Sequence, residues 1–267
     1  MTTILMTGAT DGIGLASAQH LAAAGHDLVL SGRHPGRLDA AREAVEAQRP
    51  GSVAAVVPAD LAVLDDVDRL AMTAVAAEVE VLVNNAGVFS TPVPRTADGL
   101  DVRFAVNTIA PYLLTDRVLP HLPAHGRVVN LSSAAQSPVD LEALAGRGPQ
   151  LDDFAAYAQS KLALTMWTRR LADEVGATGP VLVAVNPGSL LATKMVKEAF
   201  GQDGNDVGIG VDAVTRAAVG DDFADATGRY FDQDARDFGD PHPDALDPDK
   251  NAAVVAAIEA VLAERGR

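Results

Sequence analysis

The stretch Thr7-Gly8-Ala9-Thr10-Asp11-Gly12-Ile13-Gly14 decides the fold. The apolar run Thr3–Thr7 leads into it and reads as a strand; the segment Gly12–Ala24 follows at once and reads as a helix. Glycines in such a turn permit a tight reversal, let the backbone approach a pyrophosphate and bring helix against strand. The free N–H groups and the dipole of the helix N-terminus then favour an anion. A glycine-rich turn alone marks only a tight loop. With a strand before it and a helix after it, nucleotide binding is the favoured reading, with Gly8, Thr10, Asp11, Gly12, Ile13 and Gly14 as candidate contacts.

The pattern then repeats. Asp27–Ser31, Ser52–Val57, Val79–Val83, Arg127–Leu131 and Val181–Val185 are short runs rich in Val, Ile and Leu, continuous enough for strands buried on both faces. A further short strand is expected at Gly228–Phe231. Helices are expected near Pro35–Gln48, Leu64–Glu78, Leu100–Leu119, Asp153–Val175 and Asp249–Ala263. This βαβ order predicts an α/β fold: one doubly wound parallel sheet of about seven strands, with right-handed crossovers and helices on both faces. No linker or repeat divides the chain, so residues 1–267 are expected to form a single catalytic domain. Asp232–Asp249, rich in Asp, Pro and Gly, reads as a solvated loop.

Composition narrows the function classes. Hydrophobic residues make up 48% of the 267 residues and charged ones 21%, as in a soluble globular protein, while aromatics are only 4%, so Ala, Val and Leu must build the core. A net charge of -15 argues against nucleic acid and against docking on an anionic membrane surface. The chain has no cysteine, which excludes disulfides and thiolate chemistry. No apolar run approaches a membrane span and the first strand starts near Met1, so a soluble cytoplasmic protein is expected. The six histidines show no metal spacing; His121 and His125 are four apart, but Pro123 and Gly126 break the helix they would need.

The glycine spacing differs from G-x-G-x-x-G. Thr-Gly-x-x-x-Gly-x-Gly, followed by Asn84-Asn85-Ala86-Gly87 after the fourth strand and Tyr157-Ala158-Gln159-Ser160-Lys161 in the helix Asp153–Val175, resembles the short-chain dehydrogenase/reductase family, a Rossmann-type fold. The motifs fall in family order from Thr7 to about Phe231. The resemblance implies that Asn85, Ala86 and Gly87 contact the adenosine side and brace the sheet. It also implies that Asp60 and Leu61 recognise adenine, although Asp60 taken alone reads equally well as a helix cap.

The end of the second strand bears on which nicotinamide cofactor is used. An acidic residue there would bind the ribose hydroxyls and repel a 2′-phosphate. The chain has Ser31-Gly32-Arg33 instead, and a guanidinium can pair bidentately with phosphate. NADP(H) is therefore favoured over NAD(H). Asp11, at a loop position often basic in NADP-preferring relatives, weighs the other way.

Four residues along a helix rotate by about 400°, so Tyr157 and Lys161 share a face about 6 Å apart along the axis. A phenol titrates near 10 when unperturbed, and a nearby ammonium stabilises its charged form. Such a pair is usually plain helix surface; downstream of a dinucleotide turn it reads as catalytic. By family resemblance Ser133 is the catalytic serine, with Ser132 its structural neighbour, and Asn107 completes a tetrad by holding a helix distortion and a water that links Lys161 to solvent. The resemblance places Pro187 and Gly188 beside the nicotinamide and Thr193 at the carboxamide. Thr193 lies one position further along than the pattern asks, leaving Ser189 as a substitute.

Ser133 and Tyr157 are 24 positions apart, and this long approach resembles the branch of retinol dehydrogenase-like and protochlorophyllide reductase-like proteins. Segment 134–156 either shapes the substrate site or is a surface excursion. Residues 189–210 carry Gly201, Gly204, Gly208 and Gly210 and read as a mobile substrate lid, with Leu190, Leu191, Met195 and Phe200 as an apolar wall or a packed helix. The expected ligands are NADP(H) and a small, apolar alcohol or carbonyl compound. The resemblance also implies a homodimer or homotetramer built through the helices near Leu100–Leu119 and Asp153–Val175. The rivals are a catalytically silent NAD(P)-sensing or scaffold protein, which usually loses the Tyr or Lys kept here, and an extended-branch epimerase or dehydratase, which needs a longer C-terminal substrate domain.

Overall fold

Eight strands form one sheet in a computed structural model that describes residues 1–192 and 204–267. They are Thr3–Met6 (β1), Asp27–Gly32 (β2), Val53–Pro58 (β3), Val81–Asn84 (β4), Arg127–Leu131 (β5), Val181–Asn186 (β6), Tyr230–Asp232 (β7) and Asp237–Gly239 (β8). The order is β3-β2-β1-β4-β5-β6-β7-β8, and β1 to β7 are parallel throughout. The chain reverses direction across the sheet between β1 and β4. The carboxyl ends of those two strands therefore frame the crevice where an open parallel sheet takes its ligand.

Successive strand residues point to opposite faces. Leu5, Val29, Leu82, Val128 and Leu182 join one core, with the helices Leu64–Ala76 (α3), Ala110–Val118 (α5), Asp153–Val175 (α7) and Pro248–Ala263 (α9). Ile4, Leu28, Val81, Val129 and Val183 join the other, under Gly12–Ala23 (α1), Pro35–Glu46 (α2) and Val207–Val219 (α8). Both faces are covered, which is why the strands are apolar at almost every position.

The structure corrects the sequence reading in four places. The sheet has an eighth strand, and the supposed loop 232–249 supplies it: β8 runs antiparallel to β7, where the Phe231 and Phe238 rings meet edge to face with centroids 5.2 Å apart. The same segment carries a short 3-10 turn, Pro243–Leu246. The helix expected over Leu100–Leu119 is three pieces: Val102–Phe104 (α4), a π-helical turn Ala105–Ile109, and α5. Of the supposed mobile lid, residues 207–210 are the first turn of α8, and Leu191 pairs with Asn205 in a parallel bridge, in which the Asn205 N–H donates to the Leu190 carbonyl at 2.6 Å and the Ala192 N–H to the Asn205 carbonyl at 2.7 Å. Thr193, Met195 and Phe200 lie outside the described residues.

Segment 134–156 contains the short helix Leu141–Leu144 (α6) and is tied down at both ends. The Asp140 N–H donates to Gln159 Oε1 at 3.0 Å, and Gln150 Nε2 donates to Asp101 Oδ2 at 2.6 Å. Arg103, fully buried, ion-pairs with Asp101 and with Asp153 at the start of α7. α9 packs along α7, and Tyr112 Oη of α5 donates to Glu259 of α9 at 2.9 Å. That flank of α7 is thus covered within the chain. No helix among the described residues is long and apolar enough to cross a membrane.

Candidate active site

The glycine-rich turn is built around Asn85. Its Nδ2 donates to the carbonyls of Thr7 (2.8 Å) and Gly8 (3.2 Å), while Thr7 Oγ1 accepts the N–H groups of Asn85 (3.0 Å) and Ala86 (3.1 Å). These four bonds lock the end of β1 to the end of β4. Gly8 has φ +65°, and a Cβ there would come within 2.9 Å of the Ala86 Cα. A Cβ on Gly14 would overlap Asn85 Nδ2 and the Gly8 carbonyl. The close approach needs glycine at both positions.

Gly12, Ile13 and Gly14 open α1, whose first N–H groups have no helical partner. Asp11 caps the helix, its Oδ1 accepting the Gly12 N–H at 2.7 Å. The amides of Ile13 and Gly14 have no acceptor among the described residues, so the turn fits a pyrophosphate. Gly32, at the end of β2, leaves room for Thr10: a Cβ there would lie 2.7 Å from Thr10 Cγ2. Arg33 follows, exposed and with no hydrogen-bond or ion-pair partner among the described residues. After β3, Asp60 Oδ1 accepts the Ala62 N–H at 3.0 Å. Leu61 is only 6% exposed and sits in the core, which leaves its backbone, not its side chain, to face a ligand.

Ser133 stands just beyond β5, with its hydroxyl close enough to Tyr157, in the second turn of α7, to favour the phenolate. Ser133 Oγ also accepts the Ala135 N–H at 3.1 Å. Ser132 points the other way: its buried Oγ lies 2.7 Å from Thr165 Oγ1 and 3.3 Å from the Lys161 carbonyl. Lys161 Nζ lies 5.7 Å from the Tyr157 ring centroid and donates to the Leu131 carbonyl at 2.7 Å. The lysine is buried with no carboxylate beside it among the described residues, and that burial lowers its pKa to about 8. Burial pushes the Tyr157 phenol up, and the Ser133 hydroxyl acts in the opposite direction. The Phe89 ring packs against Tyr157 at 4.9 Å between centroids.

Asn107 is the middle residue of the π-helical turn and is fully buried. Its Oδ1 accepts the Val88 N–H at 2.8 Å; its Nδ2 donates to the Val88 carbonyl and to Ser160 Oγ, both at 2.9 Å. Ser160 Oγ in turn donates to the Tyr157 carbonyl at 2.7 Å. One asparagine thus ties the loop after β4 to the helix that carries Tyr157 and Lys161.

Pro187 and Gly188 follow β6, with Gly188 at φ +112°. Asn186 and Ser189 on either side are held by the β7–β8 turn: Asn186 Nδ2 donates to Asp234 Oδ2 at 3.0 Å, and the Ser189 N–H donates to Asp234 Oδ1 at 2.9 Å. The sequence reading missed Asp234, Gln136 and Tyr230, although the latter two hydrogen-bond the Ser133 carbonyl. Their signal was positional: Tyr230 begins β7, level with Ala184 near the carboxyl end of β6, and Asp234 lies just past β7. A cavity of about 300 Å³ bounded by Arg127, Thr178 and Asp225 lies instead at the amino ends of β5 and β6.

A parallel sheet with a glycine turn at its switch point and Ser133, Tyr157 and Lys161 gathered beside it is the arrangement of a dinucleotide-binding oxidoreductase. The sequence matches the short chain dehydrogenase family over residues 2–204, and the chain belongs to that family. It is 30% identical over 250 residues to retinol dehydrogenase 13 of Homo sapiens, spanning 86% of this chain and 76% of the relative, in keeping with the retinol dehydrogenase-like branch. Among solved structures, an uncharacterized protein from Mycobacterium Paratuberculosis aligns with a TM-score of 0.81 at 27% identity, over 98% of this chain and 93% of that one. A short chain dehydrogenase from Burkholderia cenocepacia J2315, solved in complex with NADP, aligns with a TM-score of 0.66 at 28% identity, over 86% and 94%.

Proposed function

We propose that the chain interconverts an alcohol and a ketone or aldehyde, using NADP(H) in preference to NAD(H). The observation that carries this reading is the convergence of Ser133, Tyr157 and Lys161 at the carboxyl end of β5, beside the glycine turn. The nicotinamide, when bound, supplies or accepts the hydride. Ser133 holds the substrate oxygen by its hydroxyl. Tyr157 Oη gives that oxygen a proton in reduction and takes one in oxidation. Lys161, when protonated, favours the phenolate through its positive charge and binds the nicotinamide ribose. Asn107 keeps the helix turn open as a proton path toward Lys161.

Gly8, Thr10, Gly12, Ile13 and Gly14 would hold the pyrophosphate, with Asn85, Ala86, Gly87, Asp60 and the Leu61 backbone on the adenosine side. Arg33 supports the NADP(H) preference, since an exposed guanidinium at the end of β2, without a partner among the described residues, suits a 2′-phosphate. Large exposed apolar side chains support an apolar substrate: Phe154 one turn before Tyr157 on α7, and Leu190 and Ile209 beside Gly188. Retinol, in the name of the human relative, is itself such an alcohol. A homodimer or homotetramer would have to use a surface other than the flank of α7 that α9 covers. An assay of apolar alcohols, ketones and aldehydes with each cofactor tests the reading. NADP(H)-dependent turnover is expected, whereas cofactor binding with no turnover would favour a sensor or scaffold.

A further inference from the structure

Two side chains from distant parts of the chain converge on the backbone carbonyl of Ser133. Tyr230 Oη, from β7, donates to it at 3.1 Å, and Gln136 Nε2 donates to it at 2.9 Å. A carbonyl oxygen has two lone pairs, so these two donors use its full capacity. Gln136 is itself fixed from its other end, because its Oε1 accepts the His242 N–H at 3.0 Å. The amide orientation follows from chemistry: a backbone N–H only donates and a carbonyl only accepts. His242 is seated by its own ring, whose Nδ1 accepts the Asp244 N–H at 3.2 Å and caps the turn Pro243–Leu246.

The consequence lies in the peptide plane after Ser133. It cannot rotate without breaking both bonds, and the Ser133 hydroxyl is restrained as well by the Ala135 N–H. Tyr230 is 5% exposed and its ring is packed, so its hydroxyl is a fixed donor and not a wandering surface group. β7, through Tyr230, and the segment after β8, through His242 and Gln136, therefore hold the residue that faces Tyr157.

We propose that Tyr230 and Gln136 are positioning residues that set the aim of the Ser133 hydroxyl toward Tyr157 and the substrate oxygen. The proposal rests on the reading of Ser133 as the group that holds that oxygen. Tyr230 and Gln136 act through Ser133, and no contact with substrate or cofactor is required of either.

The test is the ionisation of Tyr157, followed by NMR of protein carrying ¹³Cζ-labelled tyrosine at saturating NADP⁺, with Tyr157→Phe to assign the signal. Tyr230→Phe keeps the buried ring and removes only the hydroxyl; Gln136→Met keeps length and neutrality. Ser133→Ala is expected to raise the pH at which Tyr157 ionises. Tyr230→Phe and Gln136→Met should each shift it the same way by a smaller amount, and neither should shift it further when added to Ser133→Ala. A purely structural role would lower the unfolding temperature without this dependence on Ser133. If Ser133→Ala moves Tyr157 but neither single variant does, or if the effects add in full, the positioning role is overturned and the reading of Ser133 stands. If Ser133→Ala itself leaves Tyr157 unchanged, the underlying reading falls, and the proposal with it.

Discussion

Asn107 and Ser160 are joined by a 2.9 Å hydrogen bond that couples the π-helical turn Ala105–Ile109 to the turn of α7 between Tyr157 and Lys161. The same asparagine satisfies both the N–H and the carbonyl of Val88. Asn107→Ala removes all three bonds and leaves a polar backbone pair without its partner. We expect a loss of about 1–3 kcal/mol in unfolding free energy, read by urea denaturation. Turnover should fall more than substrate affinity, because the helix bearing the proposed acid–base pair loses its brace. An unchanged denaturation midpoint would count against this coupling.

Lys161 should show itself in the pH dependence of stability. In the folded chain its pKa is lowered to about 8, from an ordinary value of 10.5. Between those values the unfolded state keeps a proton that the folded state has released, so stability rises with pH across that window. Below pH 8 both states are protonated and the cost of burying the charge is fully present. Lys161→Met should therefore raise the unfolding temperature at pH 7, and the gain should shrink as pH rises from about 8 to 10.5. A gain that does not depend on pH would exclude charge burial as its cause.

The proposed preference for NADP(H) rests on Arg33. Arg33→Ala should weaken NADPH binding by about tenfold to a hundredfold, the scale of a lost charge-assisted hydrogen bond, and leave NADH binding nearly unchanged. Fluorescence titration of each reduced cofactor measures this. An equal loss for both would assign Arg33 a general role in folding or pyrophosphate binding.

Gly14 and Gly36 make a matched pair. A methyl group on Gly14 overlaps Asn85 and the Gly8 carbonyl, so Gly14→Ala must displace the phosphate turn and should abolish cofactor binding measured by titration. Gly36, in the first turn of α2, has open space around it. Gly36→Ala should leave binding intact and stabilise the protein by about 0.5–1 kcal/mol in thermal unfolding.

Much of this was legible in the residues themselves. Six of the seven parallel strands announce themselves by runs of Val, Ile and Leu, the mark of a sheet buried on both faces, and the helical reading of Asp153–Val175 matches the span of α7. The eighth strand was not legible: Asp237-Phe238-Gly239 has no strand pattern, and pairs with β7 only because Phe238 meets Phe231 and Phe223 in space. α8 was hidden by the glycines at its start; what holds it is the packing of Gly210 against Leu191 and Ile13. The π turn leaves no periodic mark either, since five residues are too few to shift a hydrophobic pattern. The partners of Ser133 were invisible for a related reason. Gln136 and Tyr230 are 94 positions apart (230 − 136), and only the folded sheet brings them to one carbonyl.

In the proposed reaction Tyr157 moves the proton while the dinucleotide site works independently of it. Turnover and NADP(H) affinity measured side by side in Tyr157→Phe test it most directly. Cofactor affinity should be retained and turnover should drop by about 10²–10⁴, the contribution of a positioned acid–base group. Substantial remaining turnover with the cofactor bound would contradict the account.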